Sequence, residues 1–251
     1  MLLAIDIGNS SIKFGIFEAE KLVDRFSIPT VREYSVEELQ FDRLRVQRER
    51  FFNIDSIIVG SVVPELDQTI SEALIRQLKV TPIFVDHSFD FGLAVEYAPL
   101  SDLGIDRLVN ASAAFRENAG PLIVCSFGTA TTIDAVTTEG KFLGGAIAPG
   151  MKLMAESLNR GTAQLPLASL DPPGSLFGSS TEGSIRSGVF YGYIGSIEGI
   201  VRRFSAAIEG RPKVVGTGGF GRLVHDHAEI LDVFDEELTL NGLRRLASRP
   251  A

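Results

Sequence analysis

The stretch AIDIGNSSIKFGIF, residues 4–17, decides the fold. An apolar run stops at Asp6-Ile7-Gly8-Asn9-Ser10-Ser11 and then resumes, which predicts two strands joined by a tight turn. Glycine lets a ligand approach the backbone closely, and consecutive backbone amides in such a turn form a nest that binds anions. The stretch therefore predicts a phosphate-binding hairpin, although taken alone it also fits an ordinary hairpin with a surface aspartate.

The same pattern returns in the second half of the chain. PLIVCSFGTATTIDAV, residues 121–136, again predicts an apolar strand, a glycine turn and a strand. Aligning the turns places Asp6-Ile7-Gly8-Asn9 over Ser126-Phe127-Gly128-Thr129, and both halves continue in one order of strands and helices. Self-similarity of this kind is typical of a duplicated unit. We predict two α/β lobes, 1–115 and 116–251, with a cleft between them.

The remaining periodicity gives a coarse series of elements. Strands are predicted at 2–7, 11–18, 22–28, 56–64, 81–86, 121–136 (a hairpin), 141–150, 213–215 and 230–235. Helices are predicted at 34–50, 65–79, 181–210 and in LTLNGLRRLAS near the end of the chain. The order of strands and helices supports an α/β protein.

Composition excludes several classes of function. The net charge of −8 argues against nucleic acid as the main partner, because phosphate backbones select basic surfaces. A lone cysteine, Cys125, excludes an intramolecular disulfide and suits a reducing compartment, so we expect a cytoplasmic protein. The sequence offers no segment apolar enough for a membrane helix and no secretory signal, which makes a membrane partner unexpected.

Four stretches resemble one family of kinases. DIGNSSIKFGIF (residues 6–17), GIDRLVNASAAF (104–115), FGTATTIDAV (127–136) and GGAIAPGM (144–151) with FGSSTEGSIRSG (177–188) resemble motifs of the type III pantothenate kinases. The resemblance covers essentially the whole chain. It implies the actin-like ATPase fold of acetate and sugar kinases, with two duplicated ribonuclease H-like lobes and a nucleotide cleft.

The resemblance implies ATP-dependent phosphorylation of pantothenate to 4′-phosphopantothenate, the first step of coenzyme A biosynthesis. ATP and Mg²⁺ are the implied cofactors. Asp6 is the expected Mg²⁺ ligand, and the residues expected to contact ATP are Asp6, Ile7, Gly8, Asn9, Ser10, Ser11, Ile12, Lys13 and Thr129. Lys13 can also neutralise phosphate charge, as its place on the returning strand suggests.

Asp106 is the general base that the resemblance implies, because a carboxylate can accept the proton of an attacking alcohol. From the residues alone, Asp106 equally fits a helix N-cap or an ion pair with Arg107. The residues implied to contact pantothenate are Tyr97, Gly104, Ile105, Asp106, Arg107 and Thr181. The family is dimeric, and the glycine-rich helix at 187–199 suggests a homodimer.

Ser126 departs from the family pattern, which usually has an aspartate there that serves a monovalent cation, potassium or ammonium. A neutral hydroxyl binds a cation far less well than a carboxylate. The sequence therefore leaves open whether the monovalent-cation site is absent, rebuilt or replaced by another group, and whether activity is lost. Two alternative functions stay open: a nucleotide-binding accessory or regulatory protein of the same fold, which Ser126 favours, and a kinase of another small alcohol. GTGGFG (216–221) matches a dinucleotide motif, but the chain is too short beyond it for that fold. The resemblance assigns this loop to the adenine and ribose of ATP.

Overall fold

The computed structural model describes residues 1–39, 54–118 and 120–248 of the chain. Contacts divide the chain into two compact units. Unit 1 comprises Met1–Gly92, Ala98–Ala113 and Glu237–Ala251, and unit 2 comprises Leu93–Tyr97 and Ala114–Glu236. No helix within the described residues is long and apolar enough to cross a membrane.

The strands and helices follow one another in the order that the motif analysis predicts, with additions. The strands are β1 Leu2–Ile7, β2 Ser11–Glu18, β3 Lys21–Pro29, β4 Ser56–Ser61, β5 Ile83–Phe84, β6 Ala94–Val95, β7 Leu122–Phe127, β8 Ala130–Val136, β9 Lys141–Pro149, β10 Lys213–Thr217 and β11 Val233–Phe234. The helices are α1 Pro64–Leu78, α2 Ile105–Glu117, α3 Met151–Gly161, α4 Thr181–Ala207, α5 Gly221–His227 and α6 Leu238–Ala247, with a 3₁₀ turn at Leu100–Asp102.

Each unit contains one mixed sheet, and the two sheets share a topology. The strand order is β3-β2-β1-β4-β5 in unit 1 and β11-β10-β7-β8-β9-β6 in unit 2. In unit 1, β1 pairs antiparallel with β2 and parallel with β4, and in unit 2 β7 pairs antiparallel with β8 and parallel with β10. The predicted duplication of the α/β unit is confirmed.

Amphipathic helices cover these sheets. Helix α1 buries Leu66, Ile70 and Leu74 in the core of unit 1. Proline in its first turn fits the helix start, where a missing N–H removes no internal hydrogen bond. In unit 2, Tyr193 of α4 is buried in the same core as Cys125 of β7. Cys125 is therefore the small core residue that its apolar strand predicts.

The last helix departs from the predicted lobe boundaries. The repeat in the sequence predicts a second lobe at 116–251, whereas the contacts place Glu237–Ala251 in unit 1. Helix α6 packs there because small residues admit it: a Cβ on Gly60 would lie 3.0 Å from Cδ2 of Leu243. Gly242 likewise lies against Val109. Periodicity identifies the apolar face of such a helix but not the sheet that covers it.

Two further elements differ from the prediction. The helix expected at 34–50 lies mostly outside the described residues, and its described part, 34–39, forms turns. The short strand β6 joins the sheet of unit 2 through parallel pairing with β9, and a Lys141 Nζ to Glu96 Oε2 ion pair of 2.7 Å follows it. This pairing removes residues 93–97 from the first lobe.

Candidate active site

Two hairpin turns have the geometry that the sequence predicts. In unit 1 the Gly8 N–H donates to the Ser11 carbonyl at 3.1 Å, and Asn9 and Ser10 are exposed. In unit 2 the Gly128 N–H donates to the Ala130 carbonyl at 3.1 Å, beside an exposed Thr129. Each turn presents polar groups to solvent at the end of a buried strand, as an anion-binding turn requires.

Thr30 supports the first turn through two hydrogen bonds, and no sequence motif predicts this role. Its hydroxyl donates to the Gly8 carbonyl at 2.6 Å, and its N–H donates to the Ser10 carbonyl at 3.1 Å. Both of these turn carbonyls therefore already accept a hydrogen bond from Thr30. This contact depends on the pairing of β2 with β3, which motif spacing does not reveal.

Asp6 and Lys13 lie opposite each other on β1 and β2. Lys13 Nζ is 3.7 Å from Asp6 Oδ2, and the Asp6 side chain is 14% exposed. Burial raises the pKa of Asp6 to about 6, against the lowering effect of Lys13, and the nearby charge of Asp106 raises it further. A carboxylate that is costly to keep ionised without a cation suits a site that receives one.

Asp106 is the second residue of α2 and is largely buried. Its Oδ1 accepts the backbone N–H of Arg107 at 2.9 Å, so the carboxylate bonds within the first turn but is not the N-cap. A Cβ on Gly104 would lie 2.5 Å from this oxygen, which explains the glycine of the motif. Burial raises the pKa of Asp106, opposed by the backbone N–H of Arg107 and, more weakly, by Lys13.

Three predicted site residues, Asp6, Lys13 and Asp106, lie close enough in unit 1 for their charges to affect one another. The charge of Asp106 acts on Asp6, and the charge of Lys13 acts on both carboxylates. Two acids and one lysine in mutual electrostatic reach are typical of a site that moves a proton and binds phosphate. Ile105 and Arg107 continue the same helix turn and are buried.

His87 contacts the segment that precedes helix α2, and the sequence alone does not predict this contact. Its Nε2 lies 2.8 Å from the Leu103 carbonyl, immediately before Gly104. Lone histidines carry no positional signal, so only the fold reveals this contact.

The other predicted site residues belong to unit 2. Tyr97 follows β6 and is half-buried, and a Cβ on Gly144 would lie 3.8 Å from its Cε2. Thr181 begins α4 and is exposed, while Ser180 caps the helix by accepting the Gly183 N–H at 3.1 Å.

Two glycines let neighbouring segments close on the second turn. A Cβ on Gly150 would lie 2.2 Å from the Gly128 carbonyl, and the Gly150 N–H donates to the Thr129 carbonyl at 3.0 Å. Gly218 has φ +93°, and a Cβ there would lie 2.7 Å from both N and O of Phe127. The glycine motifs at 144–151 and 216–221 thus form the walls of this turn, and no dinucleotide fold is needed to explain them.

Among the described residues, a metal ion would meet at most two acidic or other ligating side chains at one place. No group of three or more His, Cys, Asp or Glu side chains in residues 1–39, 54–118 and 120–248 could hold a metal ion by itself. A hydrated Mg²⁺ fits this donor set, because Mg²⁺ usually takes one or two carboxylates and completes its shell with water and phosphate. Asp6, partly exposed beside the first turn, is such a carboxylate.

Comparison with solved structures agrees with the fold. A Campylobacter jejuni protein assigned to the Baf family of transcriptional activators has a TM-score of 0.59 at 22% identity, covering 98% of this chain and 97% of that one. A Sinorhizobium meliloti protein assigned as a 2-dehydro-3-deoxygalactonokinase has a TM-score of 0.57 at 13% identity, covering 98% of both chains. The duplicated sheets and these similarities define an α/β protein with the fold of the actin-like ATPases and sugar kinases.

Sequence comparison gives the family. A model of the type III pantothenate kinase family matches residues 2–203. Relatives named type III pantothenate kinase include one from Citrifermentans bemidjiense, 36% identical over 99% of this chain and 99% of its own. Another, from Koribacter versatilis, is 37% identical over 99% of this chain and 96% of its own. The chain belongs to the type III pantothenate kinase family, as the motifs predict.

Proposed function

We propose that this chain transfers the γ-phosphoryl group of ATP to the primary hydroxyl of pantothenate, giving ADP and 4′-phosphopantothenate. The observation that carries the proposal is the grouping of Asp106, Asp6 and Lys13 in unit 1 of a chain of this family. Phosphoryl transfer needs little covalent chemistry from the protein, so positioning and charge neutralisation account for most of the catalysis.

Asp106 is the proposed general base. The pantothenate oxygen forms a bond to the γ-phosphorus as the bond to the β,γ-bridging oxygen breaks, and Asp106 takes the hydroxyl proton. Its raised pKa makes it a better proton acceptor than an exposed aspartate, while the Arg107 N–H fixes the carboxylate. Lys13 offsets charge that develops on the transferred group.

The first turn is the proposed seat of the nucleotide phosphates in unit 1. The residues proposed to contact them are Ile7, Gly8, Asn9, Ser10, Ser11 and Ile12, and Thr129 of unit 2 is proposed to contact ATP. Asp6 would hold Mg²⁺, which when bound neutralises part of the phosphate charge.

Pantothenate recognition is assigned to Tyr97, Gly104, Ile105, Arg107 and Thr181. Arg107 carries the planar fork that pairs well with a carboxylate, and pantothenate ends in one. Arg107 is 5% exposed, so only a small part of its side chain is open to a ligand.

We also propose a cytoplasmic homodimer. ATP and reduced thiols, such as that of Cys125, are typical of the cytoplasm. Unit 2 exposes large apolar side chains on β9, α3 and α4, namely Leu143, Ile147, Leu153 and Tyr191. Exposed apolar side chains favour association when they form a contiguous patch, and light scattering on wild type and on Ile147→Glu tests whether this unit forms the dimer.

A coupled ADP-release assay tests the activity. We expect ADP release to depend on pantothenate and to be lost in Asp106→Asn, which keeps the shape of the side chain. Binding of nucleotide without any ADP release would favour a nucleotide-binding accessory protein, the alternative that Ser126 suggests. ADP release only with alcohols other than pantothenate would favour a kinase of another small alcohol.

A further inference from the structure

Three hydroxyls form a row across the sheet of unit 2. Ser126 on β7 pairs with Thr132 on β8 and with Thr217 on β10, so the three side chains point to one face of the sheet. The corresponding row of unit 1 is Lys13, Asp6 and Gly60 on β2, β1 and β4. The duplicated unit therefore has neutral hydroxyls at the level where its counterpart has its charged phosphate-site residues.

Thr217 contributes a buried hydroxyl that has no hydrogen-bond partner within the described residues. Its side chain is 1% exposed. A buried hydroxyl without a partner is costly, and native chains leave few of them. Thr217 adjoins half-buried Ser126, which leaves the row reachable from outside.

The row is a poor match for a monovalent cation. Its three oxygens are uncharged hydroxyls, whereas cation sites commonly use carboxylates or a full ring of carbonyl oxygens. Asp134, the next residue of β8 on the same face, is 2% exposed. Its Oδ1 lies 2.4 Å from where a Cβ of Gly145 on β9 would be, so this oxygen leans toward β9.

Phosphate oxygens fit the row better. Each hydroxyl can donate one hydrogen bond, and hydrogen bonds to charged acceptors are the strong ones. The row also lies next to Phe127, whose backbone is closed in by Gly218 of the glycine loop. A polyanion bound at the second turn would therefore meet donors rather than a carboxylate that needs a cation.

We propose that Ser126, Thr132 and Thr217 form a neutral phosphate-binding row that donates hydrogen bonds to the nucleotide, so that this kinase needs no monovalent cation. The inference rests on the proposed function, from which ATP is the nucleotide. It assigns a phosphate-binding role to Thr132 and Thr217, which lie within the quoted motifs 127–136 and 216–221 but have no individual role there.

Nucleotide binding by calorimetry, with MgADP as the probe in choline chloride, tests the row without turnover. Thr132→Val and Thr217→Val keep the side-chain shape and remove the hydroxyl. We expect each to weaken MgADP binding by about tenfold, the loss of one hydrogen bond to a charged group. The thermal midpoint of Thr217→Val should not fall, because its hydroxyl has no partner to lose.

Thr131→Val is the matched control. Thr131 neighbours Thr132 but faces the opposite side of β8, where its hydroxyl lies 2.7 Å from the Tyr193 hydroxyl. We expect this control to lower the thermal midpoint and to leave MgADP affinity unchanged. MgADP affinity of wild-type strength in both Thr132→Val and Thr217→Val would overturn the proposal.

The dependence of the ADP-release rate on the salt present tests whether the enzyme needs a monovalent cation. ADP release with pantothenate is compared in potassium, ammonium and choline chloride at one ionic strength. We expect rates within about twofold of one another, whereas a loss of tenfold or more in choline would overturn the cation-independent row. A chain that releases no ADP in any salt would refute the proposed function instead, and the MgADP binding experiment would still decide the row.

Discussion

Replacing Asp6 by asparagine should stabilise the protein without ligands while removing its activity. The pKa of Asp6 is raised from 3.8 to about 6, mainly by burial. Because the folded state holds this proton more tightly than the unfolded chain, ionising Asp6 destabilises the fold. A shift of this size corresponds to about 3 kcal/mol at pH values above 6, and the side chain is only 14% exposed, so solvent screening removes little of it.

Because the pKa of Asp6 is raised by folding, the destabilisation caused by its ionisation appears over a defined pH range. The free energy of unfolding of wild type should fall as the pH rises from about 4 to about 6, the interval between the unfolded and folded pKa values of Asp6. Asp6→Asn lacks this ionisation, so its advantage should be largest above pH 6 and should shrink toward pH 4. For a chain of 251 residues we expect a thermal midpoint roughly 6–12 °C higher at pH 7.5.

Thermal unfolding of both proteins without nucleotide or Mg²⁺, between pH 4.5 and 8, measures this difference. Asp86→Asn is the control with the opposite sign. Asp86 is exposed and accepts bonds from the N–H and hydroxyl of Ser88, which hold its pKa below the usual range, so asparagine there should give no gain. An Asp6→Asn protein no more stable than wild type at pH 7.5, or equally shifted at pH 4.5, would refute the reasoning.

Three further predictions follow from named contacts. Asp106→Asn should lower the turnover rate at least about a hundredfold while MgADP affinity stays within about threefold, measured by coupled assay and calorimetry; equal losses in both would contradict a base. Gly218→Ala should weaken nucleotide binding or lower the thermal midpoint, because its φ of +93° and its 2.7 Å approach to Phe127 leave no room for a Cβ; an unchanged protein would contradict the close packing. His87→Phe should raise the KM for pantothenate more than it changes MgADP affinity, because His87 bonds the Leu103 carbonyl before the Asp106 turn; unaltered kinetics would remove His87 from the site.

Local patterns were enough to predict the hairpins and the duplication. The glycine turns lie between largely buried strands, so the sequence of 4–17 and 121–136 already contains the apolar runs, the turn residues and the repeat. The alignment of Asp6 with Ser126 is supported by the sheet registers, since each is the second-last residue of the central strand.

Contacts between distant segments could not be predicted in this way. The row that joins Ser126 to Thr217 depends on the pairing of β7 with β10, which lie far apart in the chain. The return of α6 to unit 1 and the support of the first turn by Thr30 have the same origin. Each requires the register of a strand or the packing of a helix, and neither leaves a mark in residue spacing.

Phosphorus NMR after incubation with pantothenate and MgATP detects 4′-phosphopantothenate and so tests directly whether this chain phosphorylates pantothenate. Wild type should form this phosphomonoester together with an equal amount of ADP, and Asp106→Asn should form neither. ADP formed without phosphorylated pantothenate, or product formed at the wild-type rate by Asp106→Asn, would contradict the account.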